Sequence, residues 1–359
     1  MDIEWYQNLT KTSLAGELQP VGVYRTLLTG EHVRLLPLLE AAFKVREYYH
    51  GREVTIHIIN NARNGLCSED CSYCAQARTS NAAISKYTTK SDIEILREAE
   101  LAHAAGAHRY CLVYAGRGMN MERINHLGTL IRTIKKRYPI EVCVSAGIID
   151  KEAARVLKQA GLDRLNHNLN TAPARYSRIC TTHTFADRIN TLHAAREVGL
   201  EVCSGIIAGM GETADELIEL ALTLRDLDAH SIPINFLLAI PGTMITPAGN
   251  LSPRYCLKVL CLFRFINPAA EIRIAAGREE HLRSMEVMGL YPANSLFMDG
   301  YLNTKGTGRR QTLEMIRDAG FTIRSDMSIE ETLRRQQADT DRSGEISLKT
   351  VEELRPGLS

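Results

Sequence analysis

The chain lacks any excess of charge: 43 lysines and arginines face 42 aspartates and glutamates, a formal net charge of +1. No electrostatic case exists for nucleic acid or an anionic membrane as the principal partner. It also lacks a membrane-length apolar run. The longest uncharged stretch, Ser231 to Pro253, contains Pro233, Pro241, Pro247 and Pro253 besides Asn and Thr, and these would leave polar groups unsatisfied in lipid. No basic leader precedes an apolar segment, because the chain opens Met-Asp-Ile-Glu-Trp-Tyr; the expectation is a soluble, cytoplasmic protein. The 11 histidines form no metal-spaced group, and His57 and His167 read as satisfied polar packing.

Hydrophobic residues at 45% and charged residues at 24% are globular values that allow a large core. At roughly 150 residues per domain, 359 residues suggest two domains. An α/β barrel, however, reaches ~250 residues as one unit. Nine cysteines, an odd number, point in a reducing compartment to metal ligation or buried thiols and not to disulfides.

Eight short runs read as buried strands: Val54–Asn60, Arg109–Ala115, Glu141–Ala146, Arg164–Leu169, Glu201–Ala208, Pro233–Ile240, Glu271–Ala275 and Ser295–Tyr301. Helical patterns lie between them, opened by Asp92, Asp150, Thr184, Thr213 and Pro253, several of them closed by glycine. This alternation predicts a (β/α)8 TIM-type barrel over 51–325; the alternative is an open doubly wound sheet. Residues 1–50 form an N-terminal helical extension and 326–359 a polar C-terminal tail, peripheral or mobile. Within the tail, Asp339 to Ser347 echoes a calcium loop, but Thr350 stands where a bidentate Glu belongs, so calcium is not expected.

Directly after the first strand, Cys67, Cys71 and Cys74 are spaced four and then three residues apart. Soft thiolates in such a cluster suit an iron–sulfur centre. Three ligands leave one iron of a four-iron cluster open to a substrate. The alternatives are zinc, which wants four ligands and finds no partner pair here, or buried thiols. Further along, Cys143, Cys203 and Arg273 hold matching places in Glu141-Val-Cys143, Glu201-Val-Cys203 and Glu271-Ile-Arg273. Those are strands three, five and seven, and alternate barrel strands feed one interior layer. Cys111, on strand two, would enter from an adjacent layer. A buried arginine is costly unless paired, so thiols and a guanidinium converging there read better as ligands than as packing. Cys180, Cys256 and Cys261 fit no ligand set, and the last two read as core.

Cys-x3-Cys-x2-Cys followed by a βα barrel resembles the radical S-adenosylmethionine (SAM) superfamily. Asn166-His-Asn-Leu-Asn-Thr171, Cys203-Ser-Gly205, Pro233-Ile-Asn235, Ala276-Gly-Arg-Glu279 and Ala293-Asn-Ser295 narrow the resemblance to the biotin synthase family. It implies a [4Fe–4S] cluster on Cys67, Cys71 and Cys74 that cleaves SAM to a 5′-deoxyadenosyl radical. It implies a [2Fe–2S] cluster on Cys111, Cys143, Cys203 and Arg273 that gives its sulfur to dethiobiotin; a hydrogen bond from Arg273 to a cluster sulfur is an equal reading. Tyr73 would seat the adenine, Asn168 and Asn235 the ureido ring, and Asn170 the SAM ribose. Asn166, Asn168 and Asn170 would share one side of strand four, and Gly205, Gly209 and Gly211 would allow SAM to approach the backbone. A homodimer and a flavodoxin or ferredoxin electron donor are also implied. The competing readings are another C–H functionalising radical SAM enzyme and a noncatalytic cluster scaffold.

Overall fold

The computed structural model describes residues 1–246, 251–336 and 347–358. Ten strands are present among them: β1 (Glu53–Arg63), β2 (Arg109–Tyr114), β3 (Glu141–Ser145), β4 (Arg164–Asn166), β5 (Glu201–Cys203), β6 (Ile206–Ala208), β7 (Ser231–Phe236), β8 (Glu271–Ile274), β9 (Ser295–Met298) and β10 (Thr322–Ile323). All pairings between them are parallel, in the order β1-β2-β3-β4-β5-β7-β8-β9, and β9 returns to β1 to close the cylinder. β5 and β6 are halves of one barrel strand interrupted at Ser204-Gly205, and β6 pairs with β7. The result is the expected eight-stranded barrel. β10 lies outside it against the start of β1.

Local sequence explains the frame. Crossover helices start at side-chain caps: Ser91 before Asp92–Ala104, Asp150 before Lys151–Gln159, Thr184 before Phe185–Glu197 and Thr213 before Ala214–Asp226. Each cap oxygen takes one of the amide donors that a helix start leaves unpaired. Pro253–Ile266 is buried without a break from Cys256 to Ile266, because the N-terminal helices Ile3–Leu14, Val21–Thr29 and Leu35–His50 cover the side turned away from the sheet. Cys256 and Cys261 are therefore core. None of the described helices is long and apolar enough to cross a membrane.

Strand four is shorter than the sequence suggested. It ends at Asn166, and Asn170 sits at φ 68°, in the left-handed region that asparagine tolerates better than most residues. The expected alternation of three asparagines along one strand therefore fails. Asn168 lies in the irregular segment that follows, and Asn170 rejoins the sheet by a single bridge to Ile206.

Candidate active site

A cavity opens at the C-terminal mouth of the barrel, where enzymes of this architecture place their chemistry. Its wall includes Cys67, Cys71, Cys74, Tyr73, Asn168, Asn170 and Asn235. The three cysteines share a loop folded by successive turns, Cys74 N–H to Cys71 O at 3.0 Å and Ala77 N–H to Cys74 O at 3.1 Å. Gln76 Oε1 ties the loop to the end of the first strand by accepting Gly65 N–H at 3.0 Å. Burial pushes the Cys67 thiol up and the Cys74 thiol up to about 11. Cys71 is raised too, first by its contact with Cys180 and then by burial.

The inner cysteines lie deeper. β2 and β3 pair Cys111 directly with Cys143, so Cys111 is an in-register neighbour and not a visitor from an adjacent layer. The neighbouring Cys111 thiol, then burial, pushes the Cys143 thiol up to about 12, while the Cys203 thiol acts the other way. Cys111, Cys143 and Cys203 cluster with Phe297 and Ala275 in a buried patch. Arg273 Nη1 lies 3.7 Å from Cys203 Sγ, its guanidinium stacks 4.9 Å from the Phe297 ring centre, and its Nε has no hydrogen-bond partner among the described residues.

Beneath them is a charged plate that the sequence reading missed. Glu271 accepts from Arg109 at 2.9 Å, Arg164 at 3.0 Å, Ser231 at 3.0 Å and Ser295 at 3.1 Å, as well as from Arg273, and His57 Nε2 stands 2.8 Å away. Arg109 also pairs with Glu141, and Arg164 with Glu201. Burial alone would raise the Glu271 carboxyl, but His57 and the three guanidiniums hold it well below the usual range. The signal lies in Glu141-Val-Cys143, Glu201-Val-Cys203 and Glu271-Ile-Arg273. Residues two apart on a strand face the same way, so inward Cys143, Cys203 and Arg273 force Glu141, Glu201 and Glu271 inward as well.

Other placements differ from expectation. Gly205 faces its own neighbours: a Cβ there would come 1.9 Å from Pro233 O, and its N–H is held by Asn168 Oδ1 at 3.0 Å. A close approach of strand against strand is thus sufficient to require glycine there. Asn235 donates to Ile206 O at 2.9 Å and accepts from Ala276 N–H at 3.2 Å. Tyr73 Oη bonds Asn170 Nδ2 at 2.6 Å. Asn166, given no role from the sequence, contacts Asn168 Oδ1 at 3.1 Å and Cys203 Sγ at 3.2 Å, joining cavity to inner thiols. His57 is engaged as expected, whereas His167 Nε2 is buried without a partner among the described residues. Cys180 lies 3.7 Å from Cys71, and His183 completes a group whose ligand atoms are within 4.8 Å of one another. His183 is already committed to Glu69 at 2.5 Å and Arg188 at 2.8 Å. The calcium-like segment lies outside the described residues save Ser347.

The donor sets fit the two iron–sulfur centres. Three thiols line one cavity, and three buried thiols, with the Arg273 guanidinium beside them, form a second group of soft sulfur donors below. A parallel barrel carrying such a loop at its mouth defines a class, the radical SAM enzymes, and residues 61–224 match the Radical SAM superfamily model. Residues 233–322 match the Biotin and Thiamin Synthesis associated domain. The chain is 56% identical over 315 residues to the biotin synthase of Magnetococcus marinus, covering 88% of this chain and 98% of that one. It is 52% identical over 316 residues to that of Acaryochloris marina, covering 88% and 91%. The chain belongs to the biotin synthase family. In fold it is similar to the crystal structure of methylornithine synthase, with a TM-score of 0.75 at 21% identity over 87% of this chain and 96% of that one. It is also similar to the hydrogenase maturase HydG from Carboxydothermus hydrogenoformans, at 0.76 and 18% over 92% and 81%.

Proposed function

We propose that the protein converts dethiobiotin to biotin by inserting sulfur at C–H bonds, with SAM as radical source. The observation that carries this reading is the pairing of a three-cysteine loop at the cavity with Cys111, Cys143, Cys203 and Arg273 below it, in a chain of this family. When bound, the [4Fe–4S] centre supplies the electron that cleaves SAM, and the [2Fe–2S] centre supplies the sulfur.

The chain's own residues do the rest. Cys67, Cys71 and Cys74 would hold the outer centre, and Cys111, Cys143, Cys203 and Arg273 the inner one. Arg273 is kept protonated by Glu271: burial opposes its charge, but the carboxylate outweighs that and pushes the group up. It therefore acts as a cationic donor toward sulfur unless metal displaces the proton. Asn168 and Asn235 would read the ureido group, with one donor and one acceptor per amide, after Asn235 exchanges one of its backbone bonds. Asn170 and Tyr73 would seat the nucleoside as a bonded pair. The cavity's apolar wall, including Leu237, Ile240 and Ile207, keeps water from competing for a carbon radical. A homodimer, a reduced flavodoxin or ferredoxin as donor, and a cytoplasmic location complete the proposal, supported by family membership.

Two variants separate the centres in anaerobically reconstituted protein. Cys71→Ala should abolish 5′-deoxyadenosine formation. Cys203→Ala should keep the outer centre's absorption, alter that of the inner one, and stop biotin formation. Normal biotin formation by Cys203→Ala would remove the inner centre as sulfur source. Intact SAM cleavage with turnover of a substrate other than dethiobiotin would shift the reading to another C–H functionalisation.

A further inference from the structure

The polar tail expected to be peripheral returns to the cavity wall. Residues 347–358 cross the outside of the loop Tyr301–Lys305, pairing with it like a short strand: Lys305 N–H donates to Ser347 O at 2.9 Å and Lys349 N–H to Asn303 O at 2.9 Å. Thr304 and Leu348 form an antiparallel bridge. The inner side of that loop, Tyr301, Asn303 and Thr304, lines the cavity. Leu348 also packs with Ala75, Ala82, Ile84 and Ile240. Ala75 follows the ligand Cys74, and both Ala75 and Ile240 line the cavity.

The far end of the segment is anchored on the helix Asp92–Ala104. Arg355 meets Glu94 through two bonds, at 2.9 and 2.8 Å, and its guanidinium lies 5.1 Å from the Tyr87 ring centre. Lys90, whose ammonium is buried, donates to Leu354 O at 2.6 Å while paired with Glu98. Gly357 is pressed against that helix so closely that a Cβ would lie 2.7 Å from Glu94 O. Lys305 Nζ reaches Glu353 at 2.7 Å across the middle. A segment with no docking function has no need of a buried lysine aimed at its carbonyl. The 315 residues shared with the Magnetococcus marinus relative are 98% of that chain but 88% of this one, so this chain has more polypeptide than that relative.

We propose that Ser347–Leu358 is a clasp that sets the wall of the cavity from outside, holding Tyr301–Lys305 and the cysteine loop closed over SAM and dethiobiotin. It rests on the reading that the cavity takes those molecules. The clasp reaches no reacting atom and acts through the loop, so it is a positioning element. Its attachment to the cavity loop is two backbone bonds, the Leu348 side chain and the exposed Lys305–Glu353 pair, in the range of segments that open locally without global unfolding, while the buried Lys90–Leu354 bond and the Arg355–Glu94 pair anchor the far end. It can therefore yield for substrate entry and reclose to exclude water from the radical.

The test compares reconstituted full-length protein with a variant ending at Gln336 and with Leu348→Asp. Amide hydrogen exchange at residues 301–305 should quicken at least tenfold in both variants, with the β1–β3 strands unchanged. The KM for SAM should rise several-fold, and more 5′-deoxyadenosine should form per biotin. Leu348→Ile should restore all three. Exchange at 301–305 and a KM within twofold of the parent in Leu348→Asp would overturn the clasp. If the shortened chain does not fold, the Leu348 pair decides. Exchange reads the clasp without turnover, so a protein that made no biotin would refute the functional reading and leave this result standing.

Discussion

Glu271 is one carboxylate facing Arg109, Arg164 and Arg273 at the base of the inner thiols. Its charge offsets guanidiniums that would otherwise repel one another in a dry site, where an unpaired charge is far costlier than a pair. Glu271→Gln keeps the shape and removes the charge, so it should lower stability by about 3–5 kcal/mol, read as a fall in the urea midpoint; a midpoint unchanged from the parent would show that the plate is not held by this ion. At this scale the convergence of Cys111, Cys143, Cys203 and Arg273 was legible because cysteine and arginine are conspicuous inside strands. The carboxylate two residues away was not. Glutamate at a strand start looks solvent-facing until the inward register of its neighbour is taken seriously.

Elements were read well where periodicity is strong and poorly where a strand breaks. All eight barrel strands were placed, yet Glu201–Ala208 is two segments and Arg164–Leu169 stops three residues early. Hydrophobic pattern cannot show a break like that at Gly205, because its cause is a neighbour from β7. The Pro233 carbonyl and ring occupy the space a side chain would need. The missing Cβ lets β5 and β7 meet while Gly205 N–H turns to Asn168. Gly205→Ala should therefore cost about 3 kcal/mol through overpacking against backbone, lowering the melting temperature of a 359-residue chain by roughly 4 °C. An unchanged melting temperature would mean that β5 and β7 can separate freely. The same variant should displace Asn168, so a raised KM for dethiobiotin is the accompanying functional readout.

On the scale of the whole molecule, the balanced composition gives no reason to expect a nucleic acid or an anionic membrane as partner, but it could not say where the ends of the chain lie. The polar 326–359 region reads as solvated because the contacts of its described residues are non-local, some to residues more than 200 positions earlier, such as Leu354 with Lys90, and no local pattern encodes them. At the opposite end of the barrel, the N-terminal extension closes its last helix with His50, whose Nε2–H reaches Ala270 O at 3.2 Å. Burial, then Arg264 and Arg46, push this imidazole down to about 3. The unfolded chain takes up a proton near pH 6.5 while the folded chain resists until much lower pH. The stability from keeping His50 neutral is thus fully present above pH 6.5 and is lost as pH falls toward 3. His57 and His167, also buried and lowered, act in the same direction, so wild-type stability should decline on acidification and His50→Gln should decline less. By pH 5, some 1.5 units below the free imidazole value, the difference between the two declines should amount to roughly 2 kcal/mol, measured as urea midpoints of both proteins at pH 7.5 and pH 5. Parallel declines would place the acid sensitivity elsewhere and leave His50 as an ordinary hydrogen-bonded helix end.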